Sequence, residues 1–201
     1  MKRLILPVVL LALASFSTLD MKLSDAERQM AIAELQKSQN MLLSAIEGLS
    51  EAQLNYVIGE EAWSIAHCVE HVADSEASFG QMLNGALASP PNPDKRSEVV
   101  MTDAEILANI ASRENKVKTS AEFEPSGKHG SFSASLKAFQ DKRAGHIAYL
   151  KNTEDDLRNH YGQLPYGTID GLQIFLSMSS HTERHVKQIE EIKSHPLFPK
   201  K

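Results

Sequence analysis

The chain carries a single cysteine, Cys68, among its 201 residues. An internal disulfide is therefore impossible, and cysteine usage does not assign a redox compartment. Aromatic residues are few, at 6%. Basic runs are missing beyond Met1-Lys2-Arg3, and the net charge is -5. That balance excludes nucleic acid as the partner, because phosphate binding needs a basic patch. No segment sustains the period-two alternation of a strand. Internal repeats and low-complexity segments are absent too. One apolar run, Leu4 to Ala14 broken by Pro7, is too short for a comfortable membrane span, so no stable membrane anchor is expected.

What remains is an ordinary globular composition, 42% hydrophobic and 23% charged. The length suits one domain with a sizeable core. Residues 1–20 stand apart from the rest. Lys2-Arg3 precede the apolar run, and Ala12-Leu13-Ala14 offers small residues for cleavage. This is the pattern of a secretory signal peptide and predicts an exported, periplasmic protein. No cysteine follows it to carry a lipid. The other reading is a misassigned start: Met21-Lys22-Leu23-Ser24 makes a natural beginning, and the protein is then cytoplasmic. Either way the folded domain spans residues 21–197.

Helix signals fill that span. Ser24-Asp25-Ala26-Glu27 is a capping residue followed by acids in the first turn. Leu35, Met41, Leu42, Ile46 and Leu49 carry helical spacing. Ser50 to Gln53 opens a short turn. Ser64 caps a helix running to about Ala88, with Ile65, Val69, Val72, Phe79, Leu83 and Ala86 as its apolar stripe. Three prolines between Ala88 and Ser97 break the chain. Thr102 to Glu105 is a capping box for a third helix through Ile106, Leu107, Ile110 and Val117. Ser133 or Ser135 starts a fourth, through Leu136, Phe139, Ile147, Leu150 and Leu157. Gly162 to Gly167 turns the chain, and Thr168-Ile169-Asp170 opens a last helix to about Ser194. The fold predicted is all-α: a four-helix bundle with an additional short helical element.

Two of these helices carry paired histidines, His67/His71 and His181/His185. Side chains at i and i+4 stand one above the other on a single face. That spacing suits one metal ion, and a third His from a facing helix would complete a three-His site with an open position. On the last helix Ile174, Met178, His181, His185, Gln188 and Ile192 form the core stripe, so both histidines point inward. On the earlier helix Ser64, His67, His71, Ser75 and Ser78 share a face. The small Ser75 and Ser78 leave room for a bound molecule, and Cys68 and Asp74 flank His71 at three residues. Cys68 also reads as a small buried hydrophobe, and Trp63 as packing at the helix entrance. His129, His146, His160 and His195 read as surface residues. Glu183 lies about 200° around the helix from His181. It points away from any ion and is placed to pair with Lys187.

Trp63-Ser64-Ile65-Ala66, then His71, then His181-x-x-x-His185 with Gln188-Ile189, resembles the DinB-like superfamily of four-helix-bundle metalloproteins. The resemblance runs nearly end to end from Met21. It includes Leu35-Gln36-Lys37-Ser38 and the stretch from Gly167 to Asp170. It implies three His ligands for a divalent metal, zinc or nickel foremost: His71, His181 and His185. His67, one turn earlier, is a fourth ligand, a group behind the ligands, or neither. Relatives of this kind include S-transferases and isomerases using low-molecular-weight thiols such as bacillithiol and mycothiol. Others are classed as metal-dependent hydrolases, and homodimers are frequent. The resemblance thus implies a small-molecule substrate or a low-molecular-weight thiol as partner. An exported protein would lack those cytosolic thiols, which favours hydrolysis or metal binding. Two classes of function follow. One is an enzyme with an open position on the ion and Asp74 as the weak acid–base candidate. The other is a non-catalytic metal-binding or interaction bundle, closed by His67 or Cys68.

Overall fold

Side-chain caps set where the helices begin. In the computed structural model, which describes residues 22–114 and 118–200, six α-helices and one hairpin follow in order. Helices α1 (Asp25–Ile46), α2 (Glu51–Leu54), α3 (Ile65–Leu87) and α4 (Asp103–Ala111) come first. They open on Ser24, Ser50, Ser64 and Thr102, each in a reciprocal capping box. Helix α5 (Phe132–Asn152) and the hairpin strands β1 (Tyr161–Leu164) and β2 (Gly167–Asp170) lead to α6 (Gly171–Lys193), which Asp170 caps. Short 3-10 turns occupy Pro93–Glu98, Ala121–Phe123 and Leu157–Asn159. The expected signal-like segment 1–20 and the stripe residue Val117 lie outside the described residues.

Three local expectations are corrected. The third helix is short and ends at Ala111, because Ser112 is extended at ψ 137°. Lys187 donates to the Ala111 carbonyl, placing a cation at the negative end of α4. Helix α5 is capped by Ser131, which accepts from the Ala134 amide, rather than by Ser133 or Ser135. The turn around Pro165 is an antiparallel hairpin pairing Tyr161 with Asp170 and Leu164 with Gly167. Gly167 closes it at φ 136°, a backbone angle that side chains resist.

Helix α6 packs against α1, α3 and α4, and α5 packs against α1 and α3. The four long helices therefore form a ring in the order α1, α6, α3, α5, with α1 and α3 on one diagonal. The connections 47–64 and 153–170 carry the chain across the diagonals. With α4 on its outer side, α6 is buried all round from Gly171 to Ser180. Two apolar clusters hold the bundle. One gathers Leu35, Ile106, Leu150, Leu172 and Phe175; the other gathers Leu42, Ile65, Val69, Phe139 and Ile189. Each such side chain contributes about 1.5–3 kcal/mol on burial. No helix among the described residues is long and apolar enough to cross a membrane.

A buried ion pair ties the long helices together. Arg143 of α5 is fully enclosed. Its Nε and Nη2 donate to Glu76 Oε1 and Oε2 of α3 at 2.7 and 2.9 Å. Nη1 donates to the Leu35 carbonyl and to Ser38 Oγ of α1, and Nη2 also to Thr182 Oγ1 of α6. His146 Nδ1 adds a hydrogen bond to Glu76 Oε1 at 3.0 Å. Gly80 admits that imidazole: a Cβ there would stand 2.9 Å from His146 Nε2. That network lies midway along the four helices. At the end where α1 and α6 begin, Arg158 joins Glu27, Asp103 and Asp170.

Candidate metal centre

Because α3 and α6 are neighbours in the ring, their inward faces meet. There His71 of α3 reaches His181 and His185, one turn apart on α6. His71 Nε2 and His185 Nε2 each stand 3.2 Å from His181 Nε2. The three ligand atoms lie within 4.8 Å of one another, and among the described residues this is the group able to hold a metal ion. Two imidazole nitrogens at 2.0–2.1 Å from one ion, at a tetrahedral angle, are about 3.3 Å apart. The observed spacing fits that value.

The far side of two rings fixes which nitrogen carries the proton. His71 Nδ1 donates to the Phe123 carbonyl at 2.9 Å. His185 Nδ1 donates to Gln188 Oε1 at 3.0 Å. Arg113 donates to that same Oε1, so the amide oxygen, not the nitrogen, faces His185. Both Nε2 atoms are then lone-pair acceptors aimed at His181 Nε2, which has at most one proton to give. At least one contact at 3.2 Å joins two lone pairs with no hydrogen between them. A cation would supply what the cluster lacks, and backing of this kind is how protein metal sites orient their histidines. Burial keeps all three rings neutral. It lowers His71, pushes His181 down to about 3 with help from neighbouring His71, and holds His185 well below its ordinary value. Neutral imidazole is the form that binds metals.

The family model of the DinB superfamily matches residues 34–189. The chain belongs to the DinB superfamily. Its fold is also similar to that of YfiT from Bacillus subtilis, a probable metal-dependent hydrolase with an unusual four-helix bundle topology. That similarity has a TM-score of 0.56 at 19% identity, over 85% of this chain and 88% of YfiT. No curated protein matches the chain by sequence.

Around the DinB three-His cluster, the other candidate residues divide. His67 is exposed, and its Nδ1 accepts the Ser64 amide in the capping box that starts α3. It is a helix cap outside the cluster. Cys68 is enclosed in the second apolar cluster, where burial pushes its thiol up to about 12, so it lines no pocket. Ser75 does face the site, with Oγ 3.5 Å from His71 Nε2. Ser78 is half-buried one turn further along α3. Asp74 is buried, but Oδ1 is engaged by His129 Nε2 and Lys128 Nζ, both at 2.9 Å. Glu183 pairs with Lys187 at 3.0 Å, as its helical angle predicts.

Trp63 does more than pack at the helix entrance. Its ring lies 4.8 Å from that of His71 and stacks on His185 at 6.0 Å and 19°. It forms an aromatic wall of the site. None of the four histidines read as surface residues is free. His146 belongs to the buried Glu76 network, and His195 Nδ1 stands 2.6 Å from the Tyr56 hydroxyl. His160 is buried between the Asp156 and Ser89 carbonyls, and His129 closes on Asp74. The Phe123 carbonyl was not foreseeable, since a backbone group leaves no mark in a sequence pattern. Gln188 was visible as the polar member of the α6 stripe.

Proposed function

We propose that this DinB-superfamily protein binds a divalent metal ion through His71, His181 and His185 and acts as a metal-dependent hydrolase. The observation that carries the reading is the set of three converging Nε2 atoms with too few protons among them. A bound divalent ion supplies Lewis-acid polarisation and activates water near neutral pH. The chain's own residues give the surroundings. Trp63 shields one side of the rings from water and offers an aromatic face to a substrate. Ser75 puts a hydroxyl beside the cluster. With His67 spent on the helix cap and Cys68 in the core, neither supplies a fourth protein ligand. This favours an open, catalytic coordination position over a closed structural one.

Elemental analysis of the purified protein, followed by ester and amide hydrolysis with and without a chelator, tests this reading. One bound ion per chain and chelator-sensitive turnover are expected. Metal-free protein that takes up neither zinc nor nickel overturns it. Turnover only when a low-molecular-weight thiol is added would move the assignment from hydrolase to thiol transferase.

A further inference from the structure

Between the 3-10 turn Ala121–Phe123 and the start of α5, the chain lies on the side of α3 that carries His71. Three α3 side chains bind it there. His71 holds the Phe123 carbonyl, and Asp74 holds the side chains of Lys128 and His129. Glu70 holds the backbone itself. Its Oε1 accepts the amides of Ser126, Gly127 and Lys128 at 3.0, 2.8 and 3.3 Å. Gly127 has φ 73°, the turn that points successive amides at one anion. Glu70 is only 6% exposed, and a carboxylate this enclosed needs such charge-assisted bonds. On α3, Glu70 and Asp74 stand one turn apart in a row beside His71.

We propose that Glu70 is a positioning residue of the three-His centre. By gathering the amides of Ser126, Gly127 and Lys128, it fixes the Phe123 carbonyl three residues upstream, and that carbonyl orients His71. The inference rests on the metal reading of the previous subsection. Glu70 makes no contact with the ligand nitrogens. It acts through the backbone, setting the tautomer and rotation of one ligand. If the clamp opens, Phe123 is free to drift and His71 loses the acceptor that keeps its Nε2 unprotonated.

The test is cobalt(II) titration of the full chain, read by visible absorption, beside thermal melting of the metal-free protein. Wild type should give an intense low-symmetry spectrum. Glu70→Ala should bind cobalt about 10–100-fold more weakly with an altered spectrum, the range for losing a group behind a ligand. Glu70→Gln, which keeps an oxygen acceptor, should fall in between. Gly127→Ala strains the positive φ while nothing lies within 4 Å of the added Cβ. It should weaken cobalt binding severalfold, and it decides the matter if Glu70→Ala does not fold. Cobalt affinity within twofold of wild type in Glu70→Ala, or in Gly127→Ala where Glu70→Ala does not fold, overturns the positioning role, whatever happens to the melting temperature. A wild-type protein that takes up no cobalt overturns the metal reading itself, and this inference with it.

Discussion

Helices α3 and α6 carry two buried polar clusters a short way apart, and they are built on opposite principles. Around Arg143 and Glu76, donors and acceptors match. The guanidinium gives its protons to Glu76, the Leu35 carbonyl, Ser38 and Thr182, and His146 completes the carboxylate. Around His181, the acceptors outnumber the donors, and three nitrogens face one another. Thr182 and Glu76 of the first cluster are sequence neighbours of His181 and Ser75 of the second. The difference separates scaffold from site. A satisfied buried network fixes how helices pack, whereas an unsatisfied one waits for a ligand.

The largest expected effect lies in the satisfied cluster. Arg143→Ala should cost about 3–5 kcal/mol of stability in chemical denaturation, because it strands the Glu76 carboxylate in the core. A loss below about 1 kcal/mol would mean that the network is ornament rather than scaffold. His181→Ala should do the reverse. Metal content by elemental analysis should fall to background, while the metal-free protein keeps its stability or gains a little, since a lone-pair conflict is removed. A metal-free His181→Ala protein as crippled as Arg143→Ala would erase the distinction.

Acid should then separate the clusters by pH window. Burial alone would raise Glu76, but the Arg143 charge and the His146 hydrogen bond hold it below the usual carboxylate value of 4.5. Its contribution is complete above pH 4.5 and is lost as pH falls below it. The three histidines have folded values below their ordinary 6.5, with His181 at about 3. Between those values the unfolded chain binds protons that the folded chain refuses. Metal-free stability should therefore already decline from pH 6.5 downward. In His181→Ala, denaturation midpoints between pH 6.5 and 5 should fall less steeply than in wild type. Parallel profiles for the two proteins would contradict the assignment.

The smallest expected effect belongs to His67. His67→Ala removes half of a capping box and should cost about 0.5–1 kcal/mol while leaving metal content unchanged. The sole tryptophan reports the same point optically. Trp63 stands against His71 and His185, so a paramagnetic ion such as nickel should quench its fluorescence equally in wild type and His67→Ala. Equal loss of metal in the His67 and His181 variants would make the centre a closed four-His one.

Much of this organisation was legible in the chain. Ser24, Ser50, Ser64, Thr102 and Asp170 announce helix starts because capping chemistry is local. The α6 stripe turned His181 and His185 inward. The α3 face held His67 as well as His71, and only the family resemblance singled out His71; His67 is exposed. The Arg143–Glu76 pair escaped although its signal was present. Glu76 fills the gap between Val72 and Phe79 in the α3 stripe, and Arg143 fills the gap between Phe139 and Ile147 in the α5 stripe. Ser38 stands likewise between Leu35 and Leu42. Opposite charges set into two core stripes mark a buried pair, but either one alone reads as a solvated residue. The four-residue strands of the hairpin are too short for alternation to register. The Phe123 carbonyl and the amides bound by Glu70 are backbone groups, set by tertiary contact alone.

The enclosed thiol of Cys68 gives this protein a built-in clock. Thiolate is the reactive form, and with the thiol pushed up to about 12 and fully buried, an alkylating reagent finds almost none in the native state. Modification must then pass through an opening of the core around α3, the helix that bears His71. With one cysteine in the chain, the labelling rate times a single event. An ion that staples α3 to α6 must slow that clock by the factor by which it favours the closed state.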